Sequence, residues 1–157
     1  MRGSKITQVA TGELGYKETP SGSNKTKFGN WFGVDGVAWC AMFVSWCYDK
    51  AGYPLGNLGY LKGFAGCQSG YLYFLKKKWL TKTPVEGDIV LFDWNGDKRY
   101  DHTGIFLRKI DDLHFESIEG NTAVGNDSNG GQVMKRIRTY NVAIFAHPIL
   151  PTAKFKK

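Results

Sequence analysis

The sequence predicts an α+β fold in which helices come first and an antiparallel sheet follows. In the first half of the chain, apolar residues recur at the spacing of amphipathic helices. After residue 87 the apolar runs become short, rich in Val, Ile and Phe, and separated by Gly, Asn or Asp, as in strands joined by turns. A block of helices ahead of a block of strands favours a helical layer packed on one sheet.

Helices are predicted over three segments of the first half. The first spans residues 5–15, where the apolar residues share one side. The second spans residues 40–51 and ends before Gly52, because glycine tolerates the left-handed conformation that terminates helices. The third spans residues 67–77. Residues 19–35 are rich in Ser, Gly and Asn, and we interpret them as a long ordered loop whose aromatic residues pack on the domain.

Strands are predicted in the second half, beyond the turn at residues 84–87. They span residues 88–92, 102–110, 113–119, 132–138 and 143–147. The connection between the second and third strands is short enough for a hairpin, so sequential antiparallel strands are expected. The polar, Gly/Asn-rich loop at residues 123–131 is predicted to border a cleft.

The length of 157 residues fits one domain, which we place at residues 5–150 and expect to be a monomer. Residues 1–4 are predicted to be a leader outside the domain, and residues 151–157 a basic tail or the start of a linker. There is no apolar run of about 18 residues and no signal-peptide pattern, so no membrane span is expected.

The formal charge of +7 is weak evidence for a nucleic-acid partner, and we predict none. Arg2 and three tail lysines lie outside the predicted domain, and without them the charge falls to +3. The remaining cluster at residues 76–78 is read as a solvated helix end.

Three cysteines are an odd number, which argues against a disulfide framework. Cys40 and Cys47 lie on one predicted helix with about 10 Å of rise between them, too far for a disulfide. Cys47 falls on the apolar face and is interpreted as a core residue. Cys67 is either a structural helix-start residue or a second functional thiol, and we favour the structural role.

Cys40 is the candidate nucleophile because it follows a glycine-rich loop at the start of the second helix. Unpaired backbone N–H groups and the positive end of the helix dipole favour a thiolate at this position. The alternative is a buried structural thiol, which would be expected in the middle of an apolar face rather than at a helix start.

His102 is the candidate base that accepts the thiol proton. The third member that orients its imidazole is left open between Glu119, Asn121 and Asp101. Adjacent strand residues point to opposite faces, so Asp101 is expected to face away if His102 faces the cleft. The residues alone thus indicate a cysteine hydrolase.

Four segments in order resemble the motifs of the CHAP domain, the cysteine, histidine-dependent amidohydrolase/peptidase family of phage lysins and bacterial wall hydrolases. They are the helix start at residues 39–46, then residues 84–94, 101–105 and 118–122. The resemblance covers nearly the whole chain. It implies a papain-like α+β fold and cleavage of an amide in the peptide part of peptidoglycan.

The resemblance also implies residue roles. Cys40 would be the nucleophile, His102 the general base and then acid, Glu119 the orienting carboxylate and Asn121 an auxiliary polar group. We expect an enzyme made in the cytoplasm that acts on the bacterial cell wall. The aromatic residues proposed to line its open cleft are Trp31, Phe32, Tyr60 and Trp94, although each is equally compatible with core packing.

No cofactor is expected, and no metal is carried over from the resemblance. Some CHAP domains hold calcium in the loop ahead of the nucleophile, using clustered aspartates. Between residues 21 and 38 this chain has a single acidic residue, Asp35, whereas calcium sites take about six to eight oxygen ligands.

The sequence leaves the cleaved bond and the function class open. A peptidoglycan endopeptidase is slightly favoured over an N-acetylmuramoyl-L-alanine amidase, because aromatic residues suit an extended peptide. Two other classes remain as alternatives: a non-enzymatic wall-binding module, and a cysteine protease or deamidase that acts on proteins.

Overall fold

Four helices pack on a six-stranded antiparallel sheet in this computed structural model, which describes residues 1–150. The α+β prediction is confirmed. The helices are α1 (Arg2–Thr11), α2 (Lys27–Phe32), α3 (Cys40–Lys50) and α4 (Cys67–Lys76). The strands are β1 (Leu80–Thr81), β2 (Ile89–Phe92), β3 (His102–Lys109), β4 (His114–Thr122), β5 (Gln132–Thr139) and β6 (Ala143–Ala146). The predicted basic tail at residues 151–157 lies outside the described residues.

The sheet has the order β1-β6-β2-β3-β4-β5, with every neighbouring pair antiparallel. The predicted hairpin joins β3 and β4, and the strands from β2 to β5 pair sequentially as expected. The last strand departs from that order, because β6 returns across the sheet and inserts between β1 and β2. A two-residue strand such as β1 is too short to give a periodic signal in the sequence.

The two faces of the sheet carry separate apolar clusters, as strand alternation requires. The face under the helices contributes Ile89, Leu91, Ile105 and Ile118 to the main core, together with the buried face of α3. The opposite face carries an aromatic cluster whose members are Val90, Phe92, Phe106, Phe115 and Phe145. Within residues 1–150, no helix is both long and apolar enough to cross a membrane.

Helix α1 begins at Arg2, so the prediction that the first helix starts at residue 5 is wrong. Residues 2–4 pack on the domain: Arg2 Nη1 donates a hydrogen bond to the Pro148 carbonyl at 2.8 Å. Gly3 packs against the backbone of Glu86, and an added Cβ at Gly3 would be 2.0 Å from the Glu86 carbonyl oxygen. The helix also ends earlier than predicted, at Thr11, because the chain turns at Gly12.

Helix α2 lies within the segment that was predicted to be a loop. Thr26 caps it by accepting a hydrogen bond from the Gly29 N–H at 3.0 Å, and Gly33 ends it in the left-handed conformation with φ of 99°. The helix buries Phe28, which stacks on Trp39 with ring centroids 5.5 Å apart. The segment ahead of α3 is thereby anchored to the core.

Helix α3 approaches strand β4 where that strand carries Gly120. An added Cβ at Gly120 would lie 2.8 Å from both the Phe43 Cβ and an atom of the Trp39 indole. Such distances are shorter than van der Waals contact, so only glycine allows this approach. The first turn of α3 is therefore held directly over the end of β4.

Candidate active site

Cys40 is the first residue of α3 and is 6% exposed. Trp39 precedes it, is fully buried, and donates a hydrogen bond from Nε1 to the Glu18 carboxylate at 3.1 Å. The first backbone N–H groups of a helix have no partner within the helix, and they carry the positive end of its dipole. The predicted position of Cys40 at a helix start is confirmed.

His102 begins β3 and is fully buried, with its Nε2 atom 3.0 Å from Oε1 of Glu119. Glu119 is also fully buried. Gly104 makes room for this carboxylate, since an added Cβ there would lie 2.6 Å from Cγ of Glu119. Of the three residues that the sequence left open as the partner of His102, the structure brings Glu119 to the imidazole.

Arg138 on β5 fixes the carboxylate of Glu119 from the other side. Its Nε donates to Oε2 at 2.9 Å and its Nη2 donates to Oε1 at 2.6 Å, which is the two-point geometry of a strong arginine–carboxylate pair. The Ser117 hydroxyl donates a further hydrogen bond to Oε2. Burial raises the pKa of Glu119, but the hydrogen bonds and charges of Arg138 and His102 outweigh burial and lower this pKa to about 2.

The sulfur atom of Cys40 lies 3.8 Å from the sulfur atom of Cys67, the first residue of α4. The hydrogen bond from the Cys67 thiol is the largest cause that lowers the pKa of Cys40 well below its ordinary value, and the nearby charge of His102 lowers it further. Burial acts in the opposite direction but is outweighed. These contacts favour the thiolate form of Cys40.

The pKa of His102 is raised to about 9. Burial alone would lower it, but the Coulombic attraction of Cys40 and the hydrogen bonds to Cys40 and Glu119 outweigh burial. The Nδ1 atom is buried and has no partner of regular hydrogen-bond geometry within residues 1–150. The ring thus presents one nitrogen to Glu119, while the charge of Cys40 acts on the ring from nearby.

Asn121 and Asp101 lie near the triad in sequence but bind other groups. Asn121 adopts a left-handed conformation with φ of 59°, and its side chain bonds the Gly131 N–H at 3.0 Å and Asn129 at 3.2 Å. It therefore holds the loop at residues 123–131. Asp101 is exposed and accepts a hydrogen bond from the Trp94 N–H at 3.0 Å.

The four aromatic residues predicted to line the cleft lie in two separate groups, with Trp94 beside His102 and the other three together. Trp94 stacks over His102 with ring centroids 6.1 Å apart, and its Nε1 donates to the Ser128 hydroxyl at 2.6 Å. Tyr60 is 46% exposed and rests on Phe32, which in turn contacts Trp31. Phe32 is only 6% exposed and belongs to the core, so it supports Tyr60 and does not present its own face to solvent.

One group of acidic side chains has the spacing of a cation site. Ligand oxygens of Asp93, Asp97 and Asp101, on the loop between β2 and β3, all lie within 4.8 Å of one another. This cluster lies outside the loop ahead of Cys40, on which the expectation of no metal was based. Its carboxylates already accept backbone hydrogen bonds, as Asp93 does from the Gly96 and Lys98 N–H groups. Asp35 likewise accepts the Thr26 and Gly36 N–H groups.

Sequence reasoning missed Arg138, Ser117 and the proximity of Cys67 to Cys40. Strand alternation gave a usable signal for Ser117, which shares a face of β4 with Glu119. An arginine inside a predicted strand was the signal for Arg138. Nothing in the sequence indicates that α4 begins against α3, because that contact depends on the path of the connection between them.

Comparison with known families and structures agrees with this geometry. The model of the CHAP domain family matches residues 32–121, more than half of the chain, and this span contains Cys40, His102 and Glu119. No curated protein sequence gives a significant match. The fold is similar to a crystal structure of the wild-type endolysin LysIME-EF1, with a TM-score of 0.53, 12% sequence identity and 94% of this chain covered. The chain spans 64% of the length of that endolysin.

Proposed function

The chain belongs to the CHAP domain family, and from that premise we propose that it is a peptidoglycan hydrolase that cleaves an amide bond of the wall peptide by a Cys–His–Glu thiol mechanism. The observation that carries the proposal is the arrangement of Cys40, His102 and Glu119 inside the matched span, with the thiol pKa lowered and the imidazole pKa raised. A wall-binding module would not require a buried charge network of this kind.

The first step is attack of the Cys40 thiolate on the amide carbonyl carbon. The carbon–sulfur bond forms as the carbonyl π electrons move to oxygen, which becomes an oxyanion. The N–H groups that begin α3 are positioned by the helix to stabilise this negative charge. Removing one such donor from a hydrolase typically costs about a hundredfold to a thousandfold in turnover.

His102 then donates its proton to the leaving amine, and the carbon–nitrogen bond breaks to leave an acyl-enzyme on Cys40. Neutral His102 next removes a proton from water, whose oxygen attacks the acyl carbon and releases Cys40. Glu119 keeps the imidazole in one orientation and stabilises its charged form. The charged guanidinium of Arg138 keeps Glu119 ionised through the cycle.

Trp94 is proposed to form one wall of the substrate cleft, because it is half-buried beside His102. Trp31 and Tyr60 are proposed to bind the peptide farther from the reacting bond. Because these rings lie away from the reacting bond, loss of one ring is expected to raise KM more than it lowers kcat.

Digestion of purified cell walls tests the proposal, with casein as a protein substrate in parallel. Turnover of walls without turnover of casein supports a peptidoglycan hydrolase, whereas the reverse would identify a protease. Mass spectrometry of the wall fragments then identifies the bond. New termini inside the stem or cross-bridge identify the endopeptidase that we favour, and alanine N-termini on intact stems identify an amidase.

A further inference from the structure

Cys67 lies beside the nucleophile, and the proposed hydrolytic mechanism gives it no chemical step. Its sulfur lies 3.8 Å from that of Cys40, and both cysteines are free thiols. A disulfide requires a sulfur–sulfur distance of about 2.05 Å, so the two atoms need to approach by less than 2 Å. Each cysteine is the first residue of its helix, Cys40 of α3 and Cys67 of α4. Closing this gap requires a side-chain rotation or a small shift of a helix start.

The two thiols differ in acidity. The Cys67 thiol donates its hydrogen bond to Cys40, which lowers the pKa of Cys40, while the same contact and burial raise the pKa of Cys67 well above its ordinary value. Loss of the proton is therefore favoured at Cys40 and disfavoured at Cys67. This is the arrangement of an attacking cysteine beside a resolving cysteine.

Access favours reaction at this pair over the third cysteine. Cys40 is 6% exposed at the start of α3, and Cys67 is partly exposed. Cys47 is fully buried in the main core, and burial raises its pKa well above the ordinary value. Cys47 is therefore an internal control that an aqueous oxidant does not reach.

We propose that Cys40 and Cys67 form a reversible modification site that takes oxidants of the hydroperoxide class and closes to an intramolecular disulfide. The proposal that the two cysteines form a disulfide does not depend on which substrate the enzyme cleaves. Its effect on activity rests on the proposed function, since the disulfide occupies the nucleophile of that reaction.

The chemistry proceeds in two steps. The Cys40 thiolate attacks one peroxide oxygen, the O–O bond breaks, and the products after one proton is taken up are a Cys40 sulfenic acid and water or an alcohol. The Cys67 sulfur then attacks the Cys40 sulfur, a sulfur–sulfur bond forms, and the sulfenic oxygen leaves as water with the Cys67 proton. Two electrons pass from the two thiols to the peroxide. A dithiol reductant reverses the change by thiol–disulfide exchange.

Intact-mass analysis of the full chain after equimolar hydrogen peroxide tests the proposal. We expect the mass to fall by two hydrogens and a proteolytic peptide pair to join Cys40 to Cys67. After denaturation, the one alkylatable thiol should map to Cys47. Wall hydrolysis should fall in proportion to the crosslinked fraction and return after treatment with dithiothreitol.

Cys67→Ser provides the matched variant. Without a resolving thiol, equimolar peroxide should leave Cys40 as a sulfenic acid with no crosslink, and an excess of peroxide should carry it on to sulfinic or sulfonic acid, with activity that dithiothreitol does not restore. The proposal is overturned if folded wild-type protein gains oxygen at Cys40 without a crosslink, or if all three thiols remain. A crosslink in a protein that hydrolyses no wall would leave the modification site standing and reject the proposed function.

Discussion

Arg138 binds both oxygens of Glu119 from a neighbouring strand, through hydrogen bonds of 2.9 and 2.6 Å. Arg138 is 8% exposed and Glu119 is fully buried, so the pair is shielded from solvent. His102 depends on this pair, because the carboxylate that faces its Nε2 is held in place by the guanidinium. Removing one member of a buried pair leaves an uncompensated charge, which typically costs about 3–5 kcal/mol.

Arg138→Met is therefore expected to lower both the melting temperature and kcat, and to raise the pKa of Glu119 towards its ordinary range. Arg136→Met is the matched control. Arg136 binds Thr122, the Ala123 carbonyl and Asp127, and its hydrogen bonds do not include Glu119. Equal losses of kcat per folded molecule in the two variants would show that Arg138 has no special link to His102. Thermal unfolding and wall hydrolysis, measured side by side, separate the two effects.

The choice of Glu119 over Asp101 as partner of His102 gives a second prediction. Glu119→Gln keeps an acceptor but loses the charge that stabilises imidazolium, so we expect a strong loss of kcat that is smaller than the loss in His102→Ala. Asp101→Asn should be mild, because Asp101 binds the Trp94 backbone and is exposed. A severe Asp101→Asn combined with a silent Glu119→Gln would reverse the assignment.

The pH dependence of activity follows from the two shifted groups. Protonation of His102 is needed to release the amine, and its pKa is raised to about 9, so kcat is expected to fall as pH rises through about 9. On the acid side, activity is expected to fall as Cys40 becomes protonated, and the pKa of Cys40 is lowered well below 9.0. The rate of alkylation by iodoacetamide across pH measures the thiolate directly. If the alkylation rate rose with pH only at the ordinary pKa of cysteine, the proposed pairing of a Cys40 thiolate with a charged His102 would be refuted.

Glu119 links the same network to stability in acid. Its folded-state pKa is about 2, below the ordinary 4.5, so the stability that it contributes is fully present above about 4.5 and is lost as pH falls to about 2. Glu119→Gln should flatten this part of the stability curve, measured by urea unfolding at several pH values.

The order and type of the main elements could be predicted because they depend on local pattern. Helix α3 has its first residue where a loop ends and an apolar face begins, and strands β2 to β5 alternate with clear turns. Helix α2 was not predicted because it is short and lies within a polar segment, where the Thr26 cap was the only strong signal. The first turn of α1 was assigned to a leader on composition, although Arg2 and Gly3 pack against residues distant in sequence.

The sequence could name candidates for the reacting residues, and the structure brings Cys40, His102 and Glu119 together. The sequence could not name the residues that support them. Strand alternation limited the partner of His102 to a few residues but did not choose among them.

In the pairing of β4 with β5, Arg138 stands opposite Phe115, and its long side chain reaches Glu119. The approach of α4 brings Cys67 to Cys40. Both contacts join segments that are distant in sequence, and a local sequence pattern does not determine how such segments lie relative to each other.

Activity is expected to survive chelation. The acidic cluster Asp93, Asp97 and Asp101 hydrogen-bonds to its own loop, and Asp35 ahead of Cys40 is similarly engaged. We expect wall hydrolysis and melting temperature to be the same with and without EDTA. If EDTA removes activity, calcium restores it, and Asp97→Asn prevents that restoration, a functional cation lies at that cluster. Restoration by calcium that persists in Asp97→Asn would place it elsewhere.

The most direct test of the central claim is the release of new amino groups from purified cell walls by wild-type protein and by Cys40→Ser. The wild type should release amines steadily, and Cys40→Ser should release no more than the blank while its melting temperature stays nearly unchanged. Cys47→Ser should show the opposite behaviour, because a buried hydroxyl without a partner costs about 1–3 kcal/mol but leaves the nucleophile in place. Amine release by Cys40→Ser at more than a small fraction of the wild-type rate would contradict the assignment of Cys40 as the nucleophile.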